Sequence, residues 1–308
     1  MSKYLITGAS GFIGTKLVQE LERNGEEIIA VVRNEKSNIS EIADREHTKI
    51  VVCDMDNIEN LCELVKDEHI DACIHLAWEG STGAERADYS MQLRNVENTL
   101  KLVRTMNKMG VKRMIFAGTL AEMDVLHYHG LDGSQPNAVS HYGTAKLSAH
   151  YMSKAECANN GMEHIWCYLA NTYGEGNQTN NFVNFASKVM LEGKRAAFTS
   201  GEQMYDFVYV KDIARAIYAV TKSGKNYTSY YLGSTKQRPL KEYIKMIRDA
   251  INPSIELHLG EIPFKGTSLP DEMFSSQKLV EDTGYVPKYT FEETIKPTIT
   301  WLKEAINL

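Results

Sequence analysis

Short apolar runs alternate with amphipathic stretches through the first half of the chain. Strand-length runs occupy 4–7, 28–32, 49–52, 72–76, 113–117 and 164–169. Helical patterns fill the gaps at 12–24, 84–108 and 140–160; the first puts Ile13, Leu17, Val18 and Leu21 on one face. Strands that alternate with helices predict an α/β fold built on a doubly wound parallel sheet. After Asn171 the pattern loosens. Helices are expected at 182–192, 212–222, 240–251 and 291–305, with strands at 196–199, 207–210 and 229–232. This order predicts a large domain of residues 1–170 plus about 205–235. A smaller region of about 171–204 and 236–308 is expected over the carboxyl edge of the sheet.

Bulk properties narrow the class. The 308 residues are 43% hydrophobic and 24% charged, which suits a globular chain with a large core. A net charge of −6 without a basic stripe argues against nucleic acid as a partner. No apolar run reaches the ~20 residues of a membrane span. No secretory pattern precedes the first strand, and the expected location is cytoplasmic. Five cysteines without C-x-x-C spacing read as small hydrophobes in a reducing compartment, with no metal site.

The sharpest local signal is Thr7-Gly8-Ala9-Ser10-Gly11-Phe12-Ile13-Gly14, between the first strand and the first helix. A tight strand-to-helix turn needs glycine where the backbone approaches a ligand. The free amides at the helix start attract negative charge, so the turn predicts a dinucleotide pyrophosphate lying against Gly8, Ser10, Gly11, Phe12 and Ile13. A second signal is Tyr142-Gly143-Thr144-Ala145-Lys146. Four residues apart on a helix, Tyr142 and Lys146 share a face. A nearby ammonium would lower the phenol pKa, which makes Tyr142 a candidate proton donor or acceptor and Lys146 its partner.

The G-x-x-G-x-x-G spacing with Y-x-x-x-K resembles the extended branch of the short-chain dehydrogenase/reductase family. Ala170-Asn171-Thr172-Tyr173-Gly174, Asp206-Phe207-Val208-Tyr209-Val210-Lys211-Asp212 and Tyr231-Leu232-Gly233-Ser234 extend the likeness over nearly the whole chain. The resemblance implies a Rossmann-type domain, a nicotinamide cofactor and a nucleotide-sugar substrate. It implies that Asp54 meets the adenine amino group with Met55 beside the ring, and that Leu76 and Ala77 of an H-x-A segment pass the cofactor. Thr119 is implied to bind the reacting oxygen, Asn95 to brace the strands, and Asn171 to face cofactor and substrate. Trp78 and Lys265 are further substrate-side candidates. His75 is expected to be a core histidine.

Departures refine the activity. NAD-binding relatives place an acid at the end of the second strand; here Arg33 suits a 2′-phosphate, so NADP(H) is favoured and NAD(H) remains the alternative. Relatives that eliminate water carry T-D-E where this chain has Thr119-Leu120-Ala121. The expected activity is therefore NADPH-dependent reduction of a keto group on a nucleotide-linked deoxysugar. The alternatives are an epimerase with bound NAD(P) and a non-enzymatic NADP sensor. Tyr168 and Tyr205 stand where relatives carry diphosphate-binding arginines, and Lys265, Arg195 and Arg238 are the candidate replacements. The resemblance also implies a possible homodimer packed through the fourth and Tyr-Lys helices. Leu93, Val96, Leu100 and Val103 are the residues to watch; they either form that interface or face the chain's own sheet.

Overall fold

The computed structural model describes residues 1–129, 131–264 and 269–306. Seven parallel strands form its main sheet: β1 (Lys3–Thr7), β2 (Glu27–Val32), β3 (Thr48–Val52), β4 (Ala72–His75), β5 (Arg113–Thr119), β6 (Glu163–Leu169) and β7 (Thr228–Leu232). Their spatial order is β7-β6-β5-β4-β1-β2-β3. The chain builds outward from β1 to β3, then crosses back to β4 on the other side of β1. This is the doubly wound α/β architecture expected, with its switch of direction between β1 and β4. The central strands read as continuous apolar runs because helices cover both faces. In β1, Leu5 and Ile6 are fully buried.

The helices of ten residues or more in the described chain are α1 (Phe12–Arg23), α2 (Tyr89–Lys108), α3 (Ser140–Asn159), α4 (Phe182–Leu191), α5 (Val210–Ser223), α6 (Leu240–Ile251) and α7 (Phe291–Ala305). Helix α1 buries Leu17, Val18 and Leu21. Its contact with the sheet is close because Gly14 has no side chain: a Cβ there would lie 2.1 Å from the carbonyl oxygen of Gly8. Helix α2 starts later than the pattern predicted. The side chain of Asp88 accepts from the Met91 amide (3.0 Å) and caps it, and Gly83–Ala87 forms a separate 3₁₀ turn. Val96 and Val103 of α2 are buried against the chain's own core, whereas Leu93 is exposed. Four cysteines are buried and Cys62 is half-buried, all unpaired. No helix among the described residues is long and apolar enough to cross a membrane.

Two hydrophobic cores result. One packs both faces of the main sheet. The other joins α4, α6 and α7 around Phe207, Tyr243 and Phe291. Short strand pairs tie the second core together: Asn171–Tyr173 with Phe207–Tyr209, Ala196–Phe198 with Leu257–Leu259, and Met204–Tyr205 with Arg238–Pro239. Strands of two or three residues are too short to show a period of two, so sequence pattern found only some of them. Phe12 and Ile13 of α1 also touch this second core, which brings it over the glycine turn.

The Gly14 contact gives a direct test. Gly14→Ala is expected to force α1 away from the turn and lower stability by about 1–3 kcal/mol. Urea unfolding of wild type and variant measures it; an unchanged midpoint would contradict the packing described.

Candidate active site

The crevice outside the carboxyl ends of β1, β4, β5 and β6 holds a cavity of about 630 Å³. It lies at the switch point, where open α/β sheets bind their ligands. Gly8, Gly11, Phe12, Ile13, Leu76, Trp78, Thr119, Tyr142, Lys146 and Asn171 all line it. The fold therefore brings together most of the residues singled out above.

The floor is the glycine turn. Gly8 adopts φ +74°, and a Cβ there would lie 2.8 Å from the backbone nitrogen of Ala77. The turn closes through the Gly11 amide and the Gly8 carbonyl (3.0 Å). Gly11 caps α1 without a side-chain hydrogen bond, so the first helical amides are left for an outside acceptor. This backbone cradle with a helix N-terminus fits the pyrophosphate of a dinucleotide. Ser10 and Ala77 flank the turn without lining the cavity.

The far wall carries the polar set. Strand β5 continues two residues past the predicted end, because Gly118 and Thr119 still pair with Tyr168 and Leu169. That extension presents Thr119 at the strand tip, on the same cavity wall as Tyr142. Lys146, one turn along α3, donates to the Ala117 carbonyl (2.8 Å), and its ammonium sits 3.8 Å from the centre of the Trp78 ring. Burial lowers the Lys146 pKa to about 7, against an opposing pull from the Glu122 carboxylate. Burial also raises the Tyr142 phenol above its ordinary value, with Thr119 and Arg86 pulling it down. The expected depression of Tyr142 by Lys146 is absent from this geometry: the ammonium is turned to Ala117 and Trp78 and is itself costly to keep charged.

The chain matches the NAD-dependent epimerase/dehydratase family over residues 4–233. It belongs to that family. The family lies within the extended short-chain dehydrogenase/reductases. Its curated relatives include the CDP-abequose synthase of Salmonella typhimurium, 25% identical over 95% of each chain. Another is the UDP-glucuronate 4-epimerase of Thermodesulfobacterium geofontis, 25% identical over 100% of this chain and 98% of that one. Among solved structures, the UDP-glucose 4-epimerase of Thermotoga maritima with UDP-glucose superposes with TM-score 0.80, at 22% identity and 99% coverage of both chains.

Some expected residues of this family member lie away from the cavity. Arg33, at the end of β2, is exposed and paired with Glu79 (3.2 Å), which Arg94 also holds (2.7 Å). Asp54 is half-buried and accepts from the Asp56 amide (2.9 Å), while Met55 packs on the main core. Asn95 brackets Glu79, accepting from its amide (3.0 Å) and donating to its carbonyl (2.8 Å). Lys265 lies outside the described residues. Arg195 pairs with Glu261 and Arg238 with Glu292, so both candidate replacements for a diphosphate arginine are engaged elsewhere. Tyr205 lines the cavity, and Tyr168 is turned into the core toward His150.

Sequence reasoning missed three groups. Arg86 reaches the cavity from the 3₁₀ turn before α2. Its guanidinium stands 4.5 Å from the centre of the Tyr142 ring, and its buried Nε has no acceptor among the described residues. Asn181, which caps α4 through its side-chain oxygen, has a buried Nδ2 likewise without an acceptor. Glu122 is fully buried behind Thr119. None sits in a spacing that marks it; only the folded geometry singles them out.

His75 is a core residue, as expected. It accepts from the Thr7 hydroxyl (2.7 Å) and faces the Thr99 hydroxyl (3.1 Å), which donates to the Asn95 carbonyl (2.9 Å). Burial lowers its pKa to about 3, and burial does the same to His164. Both are neutral when folded, but they bind protons below pH ~6.5 when unfolded. Their contribution is therefore complete above pH ~6.5 and falls as pH drops toward 3, by up to about 1.4 kcal/mol per pH unit each. Urea unfolding at pH 7 and pH 5 should show stability lower by about 2 kcal/mol or more at pH 5; equal stabilities would contradict this account.

Proposed function

We propose that the chain reduces a keto group on a nucleotide-linked sugar with NADPH, and that Tyr142 gives the proton. The observation that carries this reading is the buried phenol of Tyr142, which lines one cavity with Thr119 and Lys146 above the glycine turn; burial raises the phenol and lowers the lysine. Donation needs the phenol protonated, and burial keeps Tyr142 so at neutral pH. The nicotinamide supplies the hydride when the cofactor is bound. Thr119 and Tyr142 hold the carbonyl oxygen, and proton transfer from Tyr142 completes the alcohol. Lys146 holds the helix that carries Tyr142 to the end of β5 through the Ala117 carbonyl.

The cavity wall supports a diphosphate-bearing substrate. Arg86 and Asn181 offer buried donors without acceptors, which is the charge and hydrogen-bonding capacity that Tyr168 and Tyr205 do not supply. Leu120 and Ala121 line the cavity where water-eliminating relatives have their acids. The CDP-abequose synthase and the two 4-epimerases named above point to nucleotide-linked sugars as the substrate class. Their names also favour a second reading, 4-epimerisation with a retained nicotinamide.

Arg33 supports NADP(H), because a 2′-phosphate offers it a stronger partner than Glu79 on an exposed surface. Arg33→Ser is expected to weaken NADPH binding tenfold to a hundredfold and leave NADH binding within about twofold. Nicotinamide fluorescence titration measures both; equal losses would remove the argument for NADP(H).

A panel of 4-keto-6-deoxy nucleotide sugars assayed for NADPH consumption tests the reaction itself. Tyr142→Phe should lower turnover at least a hundredfold, in the range general acid catalysis contributes. Full turnover without Tyr142 would sink the mechanism, and sugar interconversion without net NADPH use would favour the epimerase.

A further inference from the structure

A carboxylate lies directly behind the Thr119–Tyr142–Lys146 set and takes no part in the chemistry above. Glu122 follows Thr119 by three residues and turns inward, with no exposed surface. One of its oxygens accepts from the Thr119 amide (2.8 Å) and from the Trp166 indole (3.1 Å). The other faces His150 Nδ1 at 3.4 Å. Gly118 makes room for this arrangement: a Cβ there would lie 2.8 Å from the Glu122 oxygen and 2.0 Å from the indole nitrogen.

His150 belongs to the same helix face as Tyr142 and Lys146, at steps of four. It stacks flat on Trp166, 4.3 Å between ring centres. Its Nδ1 is also within 3.3 Å of the Tyr168 hydroxyl, and its Nε2 is within 3.4 Å of the Ser229 hydroxyl. Strand tip and Tyr-Lys helix thus meet in a polar cluster on the face of the sheet that α3 covers.

We propose that Glu122, which faces His150 on the Tyr-Lys helix, is a positioning residue for Thr119, Tyr142 and Lys146. This rests on the reading of those three as the catalytic set. Its bond to the Thr119 amide fixes the strand tip that carries the hydroxyl. A neutral amide would accept the same two hydrogen bonds without the cost of burying a charge, so what a carboxylate adds there falls on its neighbours. Desolvation is the larger influence on both neighbours; the Glu122 charge opposes it at Lys146 and adds to it at Tyr142. Both effects favour a set that donates a proton.

Other titratable groups surround the set, and Asp124 lines the same cavity. His75 faces Lys146 from β4 and is neutral above pH about 3. Arg86 faces Tyr142 from the turn before α2. His150 and Tyr168 face Glu122 from α3 and β6, and burial raises the Tyr168 phenol well above its ordinary value. Glu122 is the carboxylate that acts on Lys146.

The test is a lysine titration that needs no substrate. The full chain is labelled with [13C,15N]lysine, and the Lys146 resonance is assigned with Lys146→Met. The wild-type midpoint is expected at about 7. Glu122→Gln, which keeps the shape and an accepting oxygen, should lower it by about one pH unit. A midpoint that does not move overturns the proposal. Should Glu122→Gln not fold, hydrogen exchange of the wild type decides: the Thr119 amide, held by Glu122, should be protected about tenfold or more over an unbonded strand-end amide, and unprotected exchange overturns the proposal. Turnover that survives Tyr142→Phe would defeat the catalytic reading while leaving the titration and exchange results intact, so the two failures are distinguishable.

Discussion

The bond from the Lys146 ammonium to the Ala117 carbonyl is the constraint on which the site depends. It ties α3 to the end of β5 inside the protein, where an ammonium is expensive to keep. The fold meets that cost with three partners: a carbonyl, the face of Trp78 and the field of Glu122. Because Lys146 is fixed, Tyr142 one turn earlier is fixed as well, under Arg86 and against Thr119. The same burial that lowers the lysine raises the phenol, so one physical effect, desolvation, sets both protonation states.

What surrounds this bond is a division of labour between the two cores. The main sheet supplies the rigid elements, namely the glycine turn, the Thr119 strand tip and the Tyr-Lys helix. The second core supplies the opposite wall through Asn177, Asn181 and Phe182. Asn184 holds that wall in shape by donating to the carbonyls of Asn177 (2.7 Å) and Thr179 (2.8 Å). Sites carried on packed elements are held more closely than sites carried on loops. Here the proposed reacting groups sit on strand and helix, and the groups that would select the substrate sit on turns.

Much of this was legible in the sequence. The strand–helix alternation gave the parallel sheet because each element is long enough to show its period. The glycine turn was legible because backbone approach permits no other residue at Gly8 and Gly14. Tyr142 and Lys146 were legible because helical geometry converts a spacing of four into a shared face. The protonation of the pair was not, since it depends on burial and on where the ammonium points, and neither has a sequence period. Arg86, Asn181 and Glu122 were illegible for the same reason: each matters through a long-range contact across the fold. Arg33 was legible as a cation but not as one already paired with Glu79.

The central claim is that hydride leaves a reduced nicotinamide for a carbonyl in this cavity while the phenol gives the proton. The most direct measurement follows the hydride. NADPH carrying deuterium at both C4 positions of its nicotinamide is turned over with the accepted keto sugar nucleotide, and the product is examined by mass spectrometry and NMR. The account predicts one deuterium per product molecule, on the carbon that bore the carbonyl. Product formed without deuterium would contradict it.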